Sequence, residues 1–307
     1  MKIQENIALA GYTTFDIGGP ARYFVEVTSV QELSEALSFT QKQSVPFYVF
    51  GGGSNVVFSD AGYDGLVIII GIAGIHHDGL TVRIGAGENL LETIRILADL
   101  GLSGLEKMAG VPGRVGGAVR GNAGAFGTEI GDFVSVVTTL NTQTGTVEDH
   151  DVHSCGFDYR DSIFKKRSEL IILEVTLILR EGVPAESSAM ISATIAQREE
   201  RHIQDIRSAG SFFVNPVVPV SLQQEFFTEK GIESRDGRVP AGWLLERSGM
   251  DQERIGDIQA GEMHANYFIN VGGGTADQVV QLASLAKMRV RNCFDVQMKE
   301  EVQLVGF

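Results

Sequence analysis

The residues best suited to chemistry cluster between Ala109 and Gly127, in the order Ala-Gly-Val-Pro-Gly-Arg-Val-Gly-Gly-Ala-Val-Arg-Gly-Asn-Ala-Gly-Ala-Phe-Gly. Seven glycines (Gly110, Gly113, Gly116, Gly117, Gly121, Gly124 and Gly127) and two arginines fall there without an acidic residue, in a chain of net charge -14. Glycine reaches positive φ and lets another group approach the main chain closely. Successive backbone N–H groups in such loops form concave nests for anions. A second cluster, Gly51-Gly52-Gly53-Ser54-Asn55, repeats this composition. One cluster alone is as readily a set of tight turns; two together fit a pair of loops clamping a phosphate-bearing cofactor. Neither is a Gly-x-Gly-x-x-Gly opening a long helix with an acidic residue about 20 positions later, and the Walker pattern is absent. Gly110-x-x-Gly113-x-x-Gly116 has the wrong spacing and reads as leading into more loop.

The elements that would position these loops follow from hydrophobic periodicity. Ala21 to Val27 alternates as a strand, and Ser29 with Glu32 offers a capping box for a helix with a Val30, Leu33, Leu37, Thr40 stripe that ends before Pro46. Phe47 to Phe50 reads as a short strand running into Gly51, Gly65 to Gly71 and Leu80 to Ile84 as further strands, and Asn89 to Asp99 as a helix. Phe133 to Asn141 and Thr146 to Glu148 suggest a hairpin around Thr144-Gly145, and Leu170 to Leu179 another strand. After Gly182-Val183-Pro184 the pattern changes. It gives a helix from Ser187 to about His202, an irregular Ser208–Pro216, a short helix Ala241–Arg247 closed by Gly249, a strand Tyr267–Val271, a long helix from Thr275 and a final strand Glu301–Val305. The expected class is α+β, with a first domain over 1–184, itself split into about 1–75 and 76–184, and a second over 185–307.

Composition narrows the functions. At 307 residues, 43% hydrophobic and 21% charged, the chain reads as an ordinary globular protein. Its acidic balance argues against nucleic acid, which needs a basic footprint, but local arginines (Arg114, Arg120, Arg160, Arg198, Arg201, Arg207) still suit small anions. The longest apolar run, Gly65 to Ile75, is shorter than the roughly 20 residues of a bilayer span. The N-terminus lacks the look of a signal peptide, and Cys155 and Cys293 stand in no metal-ligand spacing. The expectation is a cytoplasmic monomer with reduced thiols, no metal and no membrane insertion. Cys155 is expected to pack as a small apolar residue, and His76-His77 to lie in a solvated loop.

Several motifs, in order, resemble one family. They are Thr14-Phe15-Asp16-Ile17-Gly18-Gly19, Gly51-Gly52-Gly53-Ser54-Asn55, Gly110-Val111-Pro112-Gly113-Arg114-Val115-Gly116-Gly117-Ala118 and Asn122-Ala123-Gly124-Ala125-Phe126-Gly127. Tyr159-Arg160-Asp161-Ser162-x-Phe164-Lys165, Ala209-Gly210-Ser211-Phe212-Phe213-x-Asn215-Pro216, His264-Ala265-Asn266 with Asn270, and Glu301-Val302 before Gly306 continue the series. The set is similar to the UDP-N-acetylenolpyruvoylglucosamine reductases, in the shorter branch that lacks a substrate-covering tyrosine loop. The resemblance implies a two-part FAD-binding domain of the vanillyl-alcohol-oxidase-like (PCMH-type) class followed by an α+β substrate-binding domain. It also implies NADPH-dependent, FAD-mediated reduction of UDP-N-acetylglucosamine enolpyruvate to UDP-N-acetylmuramate in peptidoglycan precursor synthesis.

That chemistry adds hydride to the methylene carbon of a vinyl ether and a proton to the adjacent carbon, while enolate-like charge builds on the substrate carboxylate. By resemblance Arg160 and Glu301 stabilise that charge and Ser211 supplies the proton. Arginine's planar fork matches a carboxylate, and Glu301 would contribute in its protonated form, donating a hydrogen bond. The resemblance assigns the cofactor to Gly51, Gly52, Gly53, Ser54, Asn55, Gly110, Pro112, Gly113, Gly116, Gly117, Ala118, Asn122, Gly124 and Arg198, and the substrate to Arg201, Asn215 and His264. From the residues alone plainer readings stay open: Ser211 as a turn residue, Arg160 paired with Asp158 or Asp161, Glu301 on the polar face of a strand, His264 as a structural histidine. Departures from the pattern are Val214 where lysine is frequent, a 203–207 segment without prolines and Phe126 where tyrosine is common. Another flavin oxidoreductase of the same class, or a non-catalytic nucleotide-sugar-binding relative, are the competing functions.

Overall fold

A computed structural model of the chain describes residues 1–200 and 206–307. It packs as two compact units: Met1–Ile7, Ala21–Gly53 and Tyr63–Glu200 form the first, and Ala8–Pro20, Ser54–Gly62 and Arg201–Phe307 the second. This division differs from a single cut at 184. The helix Pro184–Glu199 belongs to the first unit, and two short N-terminal pieces belong to the second.

The first unit contains two sheets around one core. In the smaller, the strands run in the order Gln4–Ala8, Pro20–Val27, Tyr63–Ile70, Phe47–Phe50. Phe24 pairs with Val67 and Val49 with Ile68, both in parallel. Parallel neighbours need a crossover, commonly a helix, and Val30–Gln43 supplies it. Ser29 caps that helix by accepting from the Glu32 N–H at 3.2 Å. The Glu32 carboxylate closes the box one residue early, on the Thr28 N–H at 2.8 Å. Ser44, in left-handed conformation, ends the helix two residues before Pro46.

The larger sheet is antiparallel, in the order Val147–Asp151, Val134–Asn141, Leu170–Ile178, Thr81–Gly85, Ile75–Asp78. Val137 faces Val175, which faces Ile84. His76 and His77 are exposed as expected, but on the edge strand Ile75–Asp78 rather than in a loop, because that segment pairs with Thr81–Gly85. Leu66, Ile68, Ile70, Val82, Ile84, Val175 and Leu177 share the core, with Leu90, Ile94 and Leu97 of the helix Leu90–Asp99. Cys155 lies fully buried in the same core, where burial pushes its thiol up to about 12.

The glycine stretch is not all loop. Val115–Gly121 is a two-turn helix, despite three glycines that each weaken a helix by about 1 kcal/mol relative to alanine. Packing overrides propensity there: Val115, Ala118 and Val119 are buried, and a Cβ on Gly116 would come within 2.8 Å of the Ala86 Cβ.

The second unit is built on the parallel pair Val56–Phe58 with Gln303–Val305, which ties an early segment to the chain end. A three-stranded antiparallel sheet, Arg254–Ile255, Ile258–Ala260 and Phe268–Asn270, packs with the long helix Ala276–Phe294. Thr275 and Gln278 form a capping box. Asp60 adds to it by accepting from the Ala276 and Asp277 N–H groups at 2.9 and 3.0 Å. Phe212 stacks on Phe268 at 4.5 Å, and Phe15, Phe213, Trp243, Leu244 and Val279 complete this core. The helix Val220–Lys230 has no counterpart in the sequence reading. Leu222 and Phe226 are buried while Val220 and Phe227 are exposed, so its stripe is weak.

One buried carboxylate fixes Pro184–Glu199 to the first unit. Glu106, 5% exposed, accepts from Ser187 Oγ at 2.7 Å and from the Gly104 N–H at 2.8 Å. Burial by itself pushes this carboxyl up. The Ser187 hydroxyl and the main-chain donors outweigh that and hold it below its ordinary 4.5. A folded-state value below the unfolded one gives stability that is complete above pH 4.5 and lost as pH falls through the depressed value. Glu106→Gln should therefore lower neutral-pH stability by about 1.5–3 kcal/mol, the range for a hydrogen bond to a charged group. It should also flatten the acid limb below pH 4.5 relative to the parent chain. Urea unfolding of both proteins at pH 7 and in that acid range measures the two effects.

Candidate functional site

Each unit carries its own share of the candidate residues. In the first, the two glycine clusters meet main chain to main chain: a Cβ on Gly52 would lie 2.8 Å from the Gly113 Cα, and one on Gly51 would touch the Arg114 side chain at 3.4 Å. Gly53, Gly110 and Gly113 take φ of 64°, 86° and 117°, conformations that favour glycine. Pro112 lies exposed between the latter two, and Ala118 is buried in the following helix. Arg114 is engaged within the protein: it pairs with Glu26 at 2.9 Å and donates to the Ile70 carbonyl at 2.5 Å.

Beside the loops opens a cavity of about 660 Å³, within the range of about 300–1,000 Å³ for small-molecule sites. Its lining combines the apolar Val45, Phe47 and Val49 with Tyr48, Arg120 and the side-chain-free Gly51, Gly116 and Gly117. Nothing stands within 4 Å of where a Gly117 side chain would begin, so the space over that main chain is open. Burial pushes the Tyr48 phenol up to about 12, against the opposing pull of the Arg120 cation, which leaves it a neutral hydrogen-bonding group. The Arg198 Nε, on the helix Pro184–Glu199, is buried and makes no hydrogen bond among the described residues. An apolar cleft, a cation in its lining and open glycine main chain fit a flavin dinucleotide. Tyr48 was not anticipated; its place in the short strand that runs into Gly51, three residues ahead of it, is the signal that could have found it.

Arg160 occupies a knot of main-chain carbonyls in the same unit. Its φ is 54°, and its guanidinium donates to the Gly124 carbonyl at 2.6 Å and the Asn122 carbonyl at 3.5 Å. Glu129 lies 3.8 Å away, and the Tyr159 ring is 5.1 Å from the guanidinium carbon. The ion pair with Asp158 or Asp161 is not what holds it: Asp161 pairs with Lys166 at 2.6 Å. Asn122, 2% exposed, spends its side-chain amide inside the protein, donating to Glu129 and the Asp158 carbonyl and accepting from the Gly131 N–H.

In the second unit Ser211 follows Gly210, whose φ of 78° turns the chain, and bridges Tyr267 in antiparallel fashion. Glu301 lies on the adjacent segment: its N–H donates to the Phe212 carbonyl at 2.8 Å. Asn55, assigned to the glycine loop, donates from Nδ2 to the Glu301 carbonyl at 3.2 Å and accepts at its own carbonyl from the Gln303 N–H. Ser54 precedes it in this unit. Asn215 uses its amide oxygen to accept from the Ala241 N–H at 2.9 Å, capping the helix Ala241–Arg247. His264 packs edge-on to Tyr267 at 5.0 Å, over Gly242, where a Cβ would come within 2.9 Å of its ring. Arg201 lies outside the described residues. Ser211 and Glu301 are thus brought together within one unit, and Arg160 with Asn122 and Gly124 within the other.

Comparison with known proteins agrees with this distribution. A family model described as an FAD binding domain matches residues 21–150, and one for the C-terminal domain of UDP-N-acetylenolpyruvoylglucosamine reductase matches residues 201–305. The UDP-N-acetylenolpyruvoylglucosamine reductase of Solibacter usitatus is 34% identical over 100% of this chain and 97% of its own length. That of Anoxybacillus flavithermus is 32% identical over 99% and 94%. The crystal structure of the Thermus caldophilus UDP-N-acetylenolpyruvylglucosamine reductase superposes with a TM-score of 0.77 at 28% identity, covering 99% of both chains. With relatives matched end to end and both family models in register, the chain belongs to the UDP-N-acetylenolpyruvoylglucosamine reductase family.

Proposed function

We propose that this chain catalyses the NADPH-dependent, FAD-mediated reduction of UDP-N-acetyl-3-O-(1-carboxyvinyl)glucosamine to UDP-N-acetylmuramate, a step of peptidoglycan precursor synthesis, as a cytoplasmic monomer. The observation that supports it most is the bond from the Glu301 N–H to the Phe212 carbonyl, one residue after Ser211, in a chain whose first unit presents a glycine-lined cavity. FAD, when bound, supplies the hydride chemistry between NADPH and the methylene carbon of the substrate.

The side chains have three tasks. Gly51, Gly52, Gly53, Gly110, Gly113, Gly116 and Gly117 leave main chain open for the cofactor, and Arg198 offers a cation to it. Arg160 and a protonated Glu301 donate to the substrate carboxylate as enolate charge grows there; such donors act most strongly where water is excluded. Ser211 gives its hydroxyl proton to the carbon next to the one that receives hydride, and solvent later restores it. Asn215 and His264 are assigned to the sugar nucleotide, with Arg201.

Two outcomes test this reading. Gly52→Ala forces a Cβ into the Gly113 main chain at 2.8 Å and should leave a folded protein that retains little flavin, measured as flavin absorbance per polypeptide after gel filtration. Ser211→Ala should lose colour with NADPH at the parent rate, and regain it on adding the enolpyruvyl sugar nucleotide about 10²–10⁴-fold more slowly, the usual worth of general acid catalysis. A parent protein that bleaches with NADPH but is not recoloured by that sugar nucleotide is some other flavin oxidoreductase.

A further inference from the structure

Asn266 plays no part in the assignments above, although it is tightly held in the second unit. It is 2% exposed, and three of its polar groups serve one dipeptide. Its main-chain carbonyl accepts from the Phe212 N–H at 2.7 Å, its Oδ1 from the Phe213 N–H at 2.9 Å, and its Nδ2 donates to the Phe213 carbonyl at 2.9 Å. The side-chain amide thus treats Phe213 as a neighbouring strand residue would, engaging both its donor and its acceptor. Phe212 and Phe213 are themselves 1% exposed, so no water replaces these bonds.

The ladder continues on the other side. The Phe212 carbonyl accepts from the Glu301 N–H, Phe213 bridges Glu300, and the Glu301 carbonyl accepts from Asn55 Nδ2. Lys287 holds Glu300 at 2.8 Å from the long helix. Phe212 therefore has its N–H committed to Asn266 and its carbonyl to Glu301, and Ser211 is the residue directly before it.

We propose that Asn266 is a positioning residue: by fixing both polar groups of Phe213, it sets the register of Ser211 against Glu301. The proposal rests on the reading above, in which Ser211 donates the proton and Glu301 a hydrogen bond. Asparagine is required because one planar amide must give and take a hydrogen bond with a single residue. Aspartate keeps the shape and the acceptor but loses the donor, and places negative charge against the Phe213 carbonyl. Misplacement by about 1 Å can cost about 10²-fold in rate, so the defect should fall on the step that uses Ser211.

The test uses full-length holoenzyme carrying Asn266→Asp, with Asn266→Ser as the milder variant if the first does not fold. Asn270→Ala is the control for lost structure: Asn270 is equally buried in the same unit, but bonds Phe15, Gly272 and Gly274. Anaerobic rapid mixing reads colour loss with NADPH, colour return with the enolpyruvyl sugar nucleotide, and the sugar concentration giving half-maximal return. Asn266→Asp should slow colour return by about 10²-fold. Colour loss should stay within about twofold and the half-maximal concentration within about threefold, the pattern of a lost transition-state interaction. Amide hydrogen exchange should rise in the peptides containing 211–213 and 301, and not in the helix Ala276–Phe294. Equal slowing of both steps, an unchanged colour return, or an Asn270→Ala defect of the same pattern overturns the proposal. A parent enzyme that the sugar nucleotide fails to recolour overturns the function instead.

Discussion

The hydrogen bond from the Glu301 N–H to the Phe212 carbonyl is the contact on which the second unit's arrangement depends. It joins the end of the chain to a segment with little regular structure of its own. The irregular stretch after Ser208 cannot form a stable strand alone, since an isolated pair is marginal in water. It is ordered because its two phenylalanines enter the core and their main chain is shared between Asn266 and Glu301. The parallel pair Val56–Phe58 with Gln303–Val305 anchors the outer side. Each layer is held by another segment distant in sequence, which explains why pieces from both chain ends collect in one unit.

Much of this was legible in the residues and some was not. The helices Val30–Gln43, Leu90–Asp99 and Ala276–Phe294 carry caps or stripes that act locally, so their bounds follow from neighbouring residues. Four strands of the five-stranded sheet could be placed, while Ile75–Asp78 was expected as loop because its polar His76 and His77 give no apolar alternation. What periodicity could not tell was partnership. Nothing local to Val56–Phe58 shows that it pairs with residues near 304, or that Asp60 caps a helix more than 200 positions later. The helix Val115–Gly121 runs against its own propensity and exists only because Gly116 can sit on Ala86. The resemblance singled out Ser211, Glu301 and Arg160, and included Asn266 only as a motif residue without a role; its three bonds to Phe212 and Phe213 are not legible from spacing.

In the first unit the decisive constraint is the absence of side chains. Gly52 approaches Gly113 so closely that a Cβ on Gly52 would strike the Gly113 main chain, whereas Gly117 faces open space. Glycine therefore has two uses within a few residues. At Gly52 and Gly116 it allows the protein's own segments to touch, and at Gly117 it leaves main chain uncovered beside the cavity. Only the second use bears directly on a ligand, and composition cannot separate them. The arginines divide likewise: Arg114 is consumed by Glu26 and the Ile70 carbonyl, while Arg120 lines the cavity.

The backbone around Arg160 is constrained at several non-glycine positions. Asn122, Phe126 and Arg160 all have positive φ, of 43°, 50° and 54°, without being glycine. Such conformations are uncommon, and least so for asparagine, and residues held in sparsely populated backbone regions carry strain of order 1–3 kcal/mol that persists only where the surroundings enforce it. Here they do. Asn122 links Glu129 with the Asp158 carbonyl, Arg160 returns two bonds to the carbonyls of Asn122 and Gly124, and Lys165 donates to the Arg160 carbonyl at 2.6 Å. A surface ion pair needs none of this, because exposed charged side chains pair from relaxed backbone and gain about 0–1 kcal/mol. A knot that spends two main-chain carbonyls on one guanidinium holds it in a fixed direction, and a planar guanidinium pairs with a carboxylate only in a defined orientation.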